Sequence, residues 1–278
     1  MAQRPENIFN QQEMISVVIN ADNRAGYLND SSKIGEFEVG QPNGTRSVDF
    51  LTWGLKNKIN YFRGYDIQCV FFLDEHLPIH DKLFMEINEI VKSCGNNSKF
   101  ICKPNDRSSY RWNDMLYIEA LKLAEGTFVC HMDNDTTLYR KEGSDIVEKY
   151  FKWLNEGYKY ICQPWDKTGS EMVHASTRFF ICKKETLDFP LIEKSIMINP
   201  LMGKLNPCLE FTLGHLAGDG KVLYPEREDS EYVIFCWSRY FKGTLEKLSK
   251  MPYGEVRDYI LECGLFGCND VFDKMPAV

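Results

Sequence analysis

The sequence predicts an α/β protein: a mainly parallel sheet with helices packed on both of its faces. Three observations carry that prediction. Apolar runs of strand length, MISVVIN (residues 14–20), IQCVFFL (67–73) and FVCHM (128–132), are separated by stretches of helical periodicity. The runs are nearly continuous in apolar residues, as in strands buried on both faces, where a one-sided strand would alternate. Each of these runs is followed within three residues by acidic side chains: Asp22, Asp74, and the pair Asp133 and Asp135. In open parallel sheets, ligands bind beyond the carboxyl ends of the strands, so these four carboxylates are expected on one functional edge.

Taken in chain order, residues 14–20 are rich in β-branched side chains and read as the first strand, with a polar turn over 21–26. Residues 29–46 are rich in Gly, Ser and Asn and read as an exposed loop. Residues 48–61 place Phe50, Leu51, Leu55 and Ile59 at near-helical spacing, with Asn57 and Lys58 assigned to the outer face. Residues 67–73 form the second strand, ending in Asp74-Glu75. Residues 81–94 form an amphipathic helix closed by Gly95. Residues 99–103 are a short third strand. Residues 113–125 are a helix with Met115, Ile118, Leu121 and Ala124 on one face and Gly126 at its end, and the strand into Asp133 comes next.

The second half is less regular. Helix is expected over 144–155 and 208–216, strand over 158–163, 177–183 and 221–224, and a loop over 200–207. Residues 231–240 are apolar and aromatic, and 244–261 read as helix broken near Pro252. With no internal repeat and no linker, one catalytic-size domain over residues 1–240 and a helical appendage over 241–278 is the expected division.

Composition sets limits. The chain has 278 residues, 44% of them hydrophobic, enough to bury a sizeable core. A net charge of −7 argues against a surface built for nucleic-acid backbones. The ten cysteines include no C-x-x-C pair, and most sit within apolar runs as small hydrophobes, so a reduced intracellular protein is expected rather than a zinc or disulfide scaffold. The polar first residues carry no signal-peptide pattern, and no run nears the roughly 18 apolar residues of a membrane span. A soluble, cytoplasmic chain is the expectation.

Asp133-Asn134-Asp135 is the centre of the chemistry. In an extended chain, residues two apart face the same side and lie about 6.5 Å apart along it. Asp133 and Asp135 can therefore share one cation, although an acidic turn after a strand has the same composition.

These residues carry a resemblance. SVVINADNRAGYL (16–28) is similar to the strand-and-turn opening of nucleotide-sugar-dependent glycosyltransferases of the GT-A fold, most closely the family 2-like group. IEALKLAEGTFVCHMDND (118–135) resembles that group's helix–Gly–strand–DxD block. LEFTLGHLAGDGKVLYP (209–225) resembles its later block, a carboxylate opening a helix that leads to a short strand. The opening departs from the usual pattern in having Asn20, Ala21 and Asp22, and the later block has Leu209-Glu210 where Glu-Asp is usual.

The resemblance implies a Rossmann-like GT-A fold, a nucleotide-diphosphate sugar donor, and a hydroxyl acceptor on a glycan or other molecule. It implies Mn²⁺ or Mg²⁺ at Asp133 and Asp135, where the ion would neutralise the leaving diphosphate. It further implies nucleotide-sugar contacts at Ala21, Asp22, Asn23, Asp74, Arg111 and Asn134, and a general base at Glu210 in an inverting reaction.

Arg107 also lies between the third strand and the acidic strand, and Arg178, Arg239 and Lys242 are further basic candidates. Trp112, Trp165 and Trp237 could stack on a sugar. His131 is either a support for the acidic pair or a core histidine. His174 and His215 are the only histidines later in the chain, and so the only ones that could add a later metal ligand. Three other classes compete: a retaining transferase using the same metal site without a base, a sugar-nucleotide nucleotidyltransferase, and a non-catalytic cation-binding scaffold. The segment NADNRAG lacks the Gly-rich phosphate loop expected of the nucleotidyltransferase.

Overall fold

The structure is a computed structural model and describes residues 13–23, 48–75, 81–104, 112–133, 136–138, 140, 143–162, 174–198, 207–225 and 235–236. The expected appendage over 241–278 lies outside the described residues.

In the described residues the strands and helices alternate as the apolar runs require. They are β1 (Ile15–Asn23), α1 (Val48–Tyr61), β2 (Ile67–Glu75), α2 (Asp81–Lys92), β3 (Lys99–Pro104), α3 (Trp112–Lys122) and β4 (Phe128–Asp133). Next come β5 (Thr136–Thr137), α4 (Ile146–Asn155), β6 (Tyr160–Cys162), β7 (Phe179–Lys183) and α5 (Phe189–Lys194). The described chain continues with β8 (Met197–Ile198), β9 (Pro207–Cys208), α6 (Leu209–Ala217), β10 (Val222–Leu223) and β11 (Phe235–Cys236).

Seven strands form one sheet in the order β10-β6-β7-β4-β1-β2-β3. β1 is parallel to β2 and β4, β2 to β3, and β10 to β6, whereas β7 runs antiparallel to both β4 and β6. The mainly parallel sheet is therefore as expected, with one reversed strand. Two small antiparallel pairs, β5 with β11 and β8 with β9, lie outside it.

Strand alternation divides the core into two layers. Ile15, Val17 and Ile19 of β1, Cys69, Phe71 and Leu73 of β2, and Phe128, Cys130 and Met132 of β4 pack with α1, α2 and α4. Val18, Val70, Phe72 and Val129 go to the opposite face, against α3, α5 and α6. Each fully buried aliphatic or aromatic side chain contributes about 1.5–3 kcal/mol, so the doubly covered sheet is the stabilising centre of the molecule. On the first layer, Tyr61 and Tyr150 share a hydrogen bond of 2.9 Å between their hydroxyls, which joins α1 to α4 without leaving a polar atom unpaired.

The amino-terminal edge of the sheet is locked by polar groups. Ser16 Oγ donates to Gln68 Oε1 at 2.6 Å and accepts from Gly126 N at 2.8 Å, while Glu125 N donates to Gln68 Oε1 at 2.8 Å. Gly126 sits so close that a Cβ would lie 2.5 Å from Met14 O and 2.7 Å from Ser16 N. A side chain there would push against backbone, which explains a glycine between α3 and β4.

Two local expectations are corrected. β1 runs on through Asn23, because residues 15–23 pair in register with 67–75, so Ala21 to Asn23 are strand rather than turn. Asn57 and Lys58 are 3% and 0% exposed, not outward. Lys58 lies three residues after Leu55 and three before Tyr61, on the buried stripe of the helix. The amphipathic α2 buries Ile87 and Val91, while Phe84 and Met85 are 43% and 60% exposed.

Candidate functional site

The order of the strands locates the site. From β1 the chain moves outward through β2 and β3, then returns to place β4 on the other side of β1. Between β1 and β4 the strand order reverses, and such a switch opens a crevice at the carboxyl ends of the strands. The register puts the acidic positions at that crevice. Asn20 is the partner of Asp133, and Asp22 is the partner of Asp74. Neighbouring strands lie about 4.8 Å apart, so each pair is adjacent across the sheet. Positions 22, 74 and 133 also share the parity of Val18, Val70 and Val129, the residues facing the layer that contains α6. Acidic residues paired on neighbouring strands repel unless a cation or a donor group lies between them.

Strand β4 stops at Asp133, and β5 begins at Thr136. Asn134 and Asp135 lie between them, outside the described residues. Thr136 and Leu138, just beyond that pair, are tightly held. Asn57 Nδ2 donates to Leu138 O, and Leu138 N donates back to Asn57 Oδ1, both at 2.9 Å. Lys58 Nζ donates to Thr136 O at 2.5 Å. Thr136 Oγ1 donates to Arg178 O at 3.0 Å, and β11 pairs with Thr136 and Thr137.

Glu210 reaches the same edge from another element. It lies in the first turn of α6, and its Oε1 accepts from Thr177 N at 2.7 Å and Thr177 Oγ1 at 2.8 Å. Ala175 N donates to Glu210 O at 3.0 Å, so main chain and side chain both tie the helix start to residues 175–177. Thr177 stands two residues before Phe179, which pairs with Met132 beside Asp133. Among the described residues, only one carboxylate oxygen of Glu210 is engaged, which leaves Oε2 for other chemistry.

The histidines behave differently. His131 is fully buried, with Nε2 and Asn20 Oδ1 2.9 Å apart and its ring stacked on Phe180 and edge-on to Tyr117. Burial lowers its pKa to about 3, against a smaller opposing pull from the backbone of Thr177, so the ring is neutral at ordinary pH. A neutral imidazole next to Asp133, bonded to the partner of Asp133, supports the edge rather than adding charge to it. His174 packs against Phe211 and Tyr224, and its backbone exchanges hydrogen bonds with Tyr224 Oη. His215 is exposed in the last turn of α6.

The acidic positions at this edge would offer carboxylate oxygens to a cation, and the nearby imidazole is already engaged with Asn20. That set suits a hard cation such as Mg²⁺ or Mn²⁺ better than zinc. Among the described residues no group of three or more His, Cys, Asp or Glu side chains is placed to hold a metal ion.

Of the predicted positions, the structure brings Ala21, Asp22, Asn23, Asp74 and Asp133 to one edge in backbone register, and ties Glu210 to Thr177. Arg107, Arg111, Trp165, Trp237, Arg239 and Lys242 lie outside the described residues. Arg178 is exposed and contributes its carbonyl to Thr136. Sequence reasoning missed Asn57, Lys58 and Thr177. For Lys58 the signal was present: a cation at i+3 from Leu55 and i−3 from Tyr61 belongs to the buried stripe. Thr177 had no comparable signal, because its role depends on α6 folding back across the sheet.

No protein-family model matches the chain, and no curated protein matches it in sequence. Its fold is similar to several solved structures at low identity. The mannosyltransferase PcManGT from Pyrobaculum calidifontis, solved with GDP-Man and Mn²⁺, aligns at a TM-score of 0.45 and 11% identity. That alignment covers 81% of this chain and 59% of PcManGT, so the chain spans little more than half the length of that enzyme. The galactosyltransferase LgtC, solved with donor and acceptor sugar analogues, aligns at 0.43 and 12% identity over 76% of this chain and 73% of its own. A putative glucose-1-phosphate thymidylyltransferase from Bacillus anthracis, in complex with a sucrose, aligns at 0.47 and 10% identity over 88% and 99%. Among the described residues no helix is long and apolar enough to cross a membrane.

Proposed function

We propose that the chain is a GT-A-type glycosyltransferase that moves a sugar from a nucleotide-diphosphate donor to an acceptor hydroxyl, with inversion at the anomeric carbon. The observation that carries this is the convergence of Asp22, Asp74 and Asp133 at the strand-order switch, with Glu210 tethered beside them. Acidic positions at the mouth of such a crevice, with a separate carboxylate bonded through one oxygen, suit a reaction needing one anchored anionic leaving group and one base.

In this reading Asp133 and Asp135 hold a divalent cation, which when bound neutralises charge developing on the departing diphosphate. Asp22 and Asp74 accept from nucleoside N–H or ribose hydroxyl groups, and Ala21, Asn23, Asn134 and Arg111 complete the donor contacts. Thr177 fixes Glu210 through Oε1, and Oε2 takes the proton of the acceptor hydroxyl as it attacks the sugar. The proton ends on Glu210, and the bond from the sugar to the diphosphate breaks.

The test is release of nucleotide diphosphate from UDP- and GDP-sugars in the presence of Mn²⁺ or Mg²⁺. Release that depends on metal and acceptor supports the proposal. Formation of a sugar nucleotide from a sugar phosphate and a nucleoside triphosphate would assign the nucleotidyltransferase reaction instead.

A further inference from the structure

Against the chain just after Asp135 sits a lysine with no surface in water. Lys58 of α1 is 0% exposed, and its Nζ donates to Thr136 O at 2.5 Å and to Gly54 O at 3.4 Å. Beside it, Asn57 satisfies both backbone groups of Leu138. Thr136 and Leu138, the described residues just beyond Asp135, are thus held by two adjacent side chains of one helix. From the other side, β11 and Arg178 O hold Thr136 as well.

An ammonium is an expensive way to fill a helix stripe. Burying it costs far more than burying Leu or Met of similar length, unless it is well bonded, and replacing buried charges with apolar groups is often neutral or stabilising. Packing therefore does not account for Lys58. Its bond does: it ends on the carbonyl of Thr136, the first described residue after Asp135, and holds one positive charge against that backbone.

We propose that Lys58 is a positioning residue for the cation and diphosphate site, fixing the backbone on the exit side of Asp133-Asn134-Asp135. The inference rests on the donor site proposed above. In this reading Lys58 is a support and not a ligand. It acts through Thr136, in the way that supporting groups hold metal ligands in their binding geometry.

The experiment titrates UDP and GDP, each with Mn²⁺, into wild type, Lys58→Met, Lys58→Gln and Ser16→Ala. Calorimetry reads affinity, and a melting curve without ligand reads stability. Lys58→Met is expected to weaken nucleotide binding by about tenfold or more. Lys58→Gln, one atom shorter but still a donor, is expected to recover part of the loss. Ser16→Ala cuts the hydrogen bonds at the opposite edge of the sheet, so it is expected to lower the melting temperature while changing affinity less than about twofold. If Lys58→Met is not recovered folded, the comparison of Lys58→Gln with Ser16→Ala decides. Unchanged affinity in the Lys58 variants, or an equal loss in Ser16→Ala, overturns the inference. A wild type that binds neither nucleotide with Mn²⁺ overturns the donor site itself, a separate result from a wild type that binds alongside Lys58 variants that bind equally well.

Discussion

Glu210 and Thr177 are joined twice through a single oxygen: Oε1 accepts from the Thr177 amide at 2.7 Å and from its hydroxyl at 2.8 Å. That arrangement separates the structural use of the side chain from its proposed chemical use. Glu210→Gln keeps an acceptor at Oε1 and loses the ability to take a proton. The expected outcome is a protein of near wild-type melting temperature with transfer reduced by about 10²–10⁴-fold. Transfer that survives in a folded Glu210→Gln protein would point to a retaining enzyme using the same edge.

At Asp133 the prediction concerns linkage. Wild type is expected to gain about 2.7 kcal/mol of stability from nucleotide diphosphate and Mn²⁺ at a hundredfold excess over the dissociation constant. Asp133→Asn keeps the shape of the side chain and removes its charge, and is expected to abolish that gain. Adding a chelator to the wild type should return its melting temperature to the ligand-free value. A nucleotide shift indifferent to chelator would remove the metal from the site.

Much of the fold is legible in the sequence because parallel strands buried on both faces leave little freedom. MISVVIN and IQCVFFL can hardly be anything but interior strands, and the acids after them have to emerge at one edge. Composition alone ends β1 three residues short, because Ala21-Asp22-Asn23 looks like a turn and only pairing with Leu73-Asp74-Glu75 extends the strand. Asn57 and Lys58 mislead for a related reason. Their polarity suggests the outer face, whereas hydrogen bonds to a loop some eighty residues away make the inner face tolerable. The spacing from Leu55 and Tyr61 marks position 58 as buried, but the partners that make its burial tolerable leave no local trace.

The same clasp gives a stability prediction. Asn57→Leu suits the apolar surroundings of α1, yet leaves Leu138 N and O without the bonds they now make to Asn57. Losing two buried hydrogen bonds is expected to cost about 2 kcal/mol, against less than about 0.5 kcal/mol for Lys56→Ala at the exposed neighbouring position. Urea unfolding measures both. Equal effects would show that the clasp to Leu138 is not made.

Thiol chemistry supplies the last prediction, at the other end of the sheet. Cys94 helps line a cavity of about 540 Å³ with Ile59, Phe62, Tyr65, Ile67 and Ile90. The hydrogen bond from Cys69 lowers the pKa of Cys94, with burial opposing and Ser93 assisting. In Cys69 the same contact works the other way, and with burial it pushes the thiol pKa up. Burial also raises Cys130 and Cys182. Reactivity follows the thiolate, so mild alkylation near neutral pH is expected to modify Cys94 first among these four, as read by peptide mass mapping. As pH rises, more of Cys94 ionises before the other three, so its lead is largest at the low end of the alkaline range. Cys69→Ala removes the donor that stabilises the Cys94 thiolate, and is expected to slow alkylation of Cys94 several-fold although it opens space beside it. Faster reaction in that variant would mean that access, not ionisation, controls the thiol.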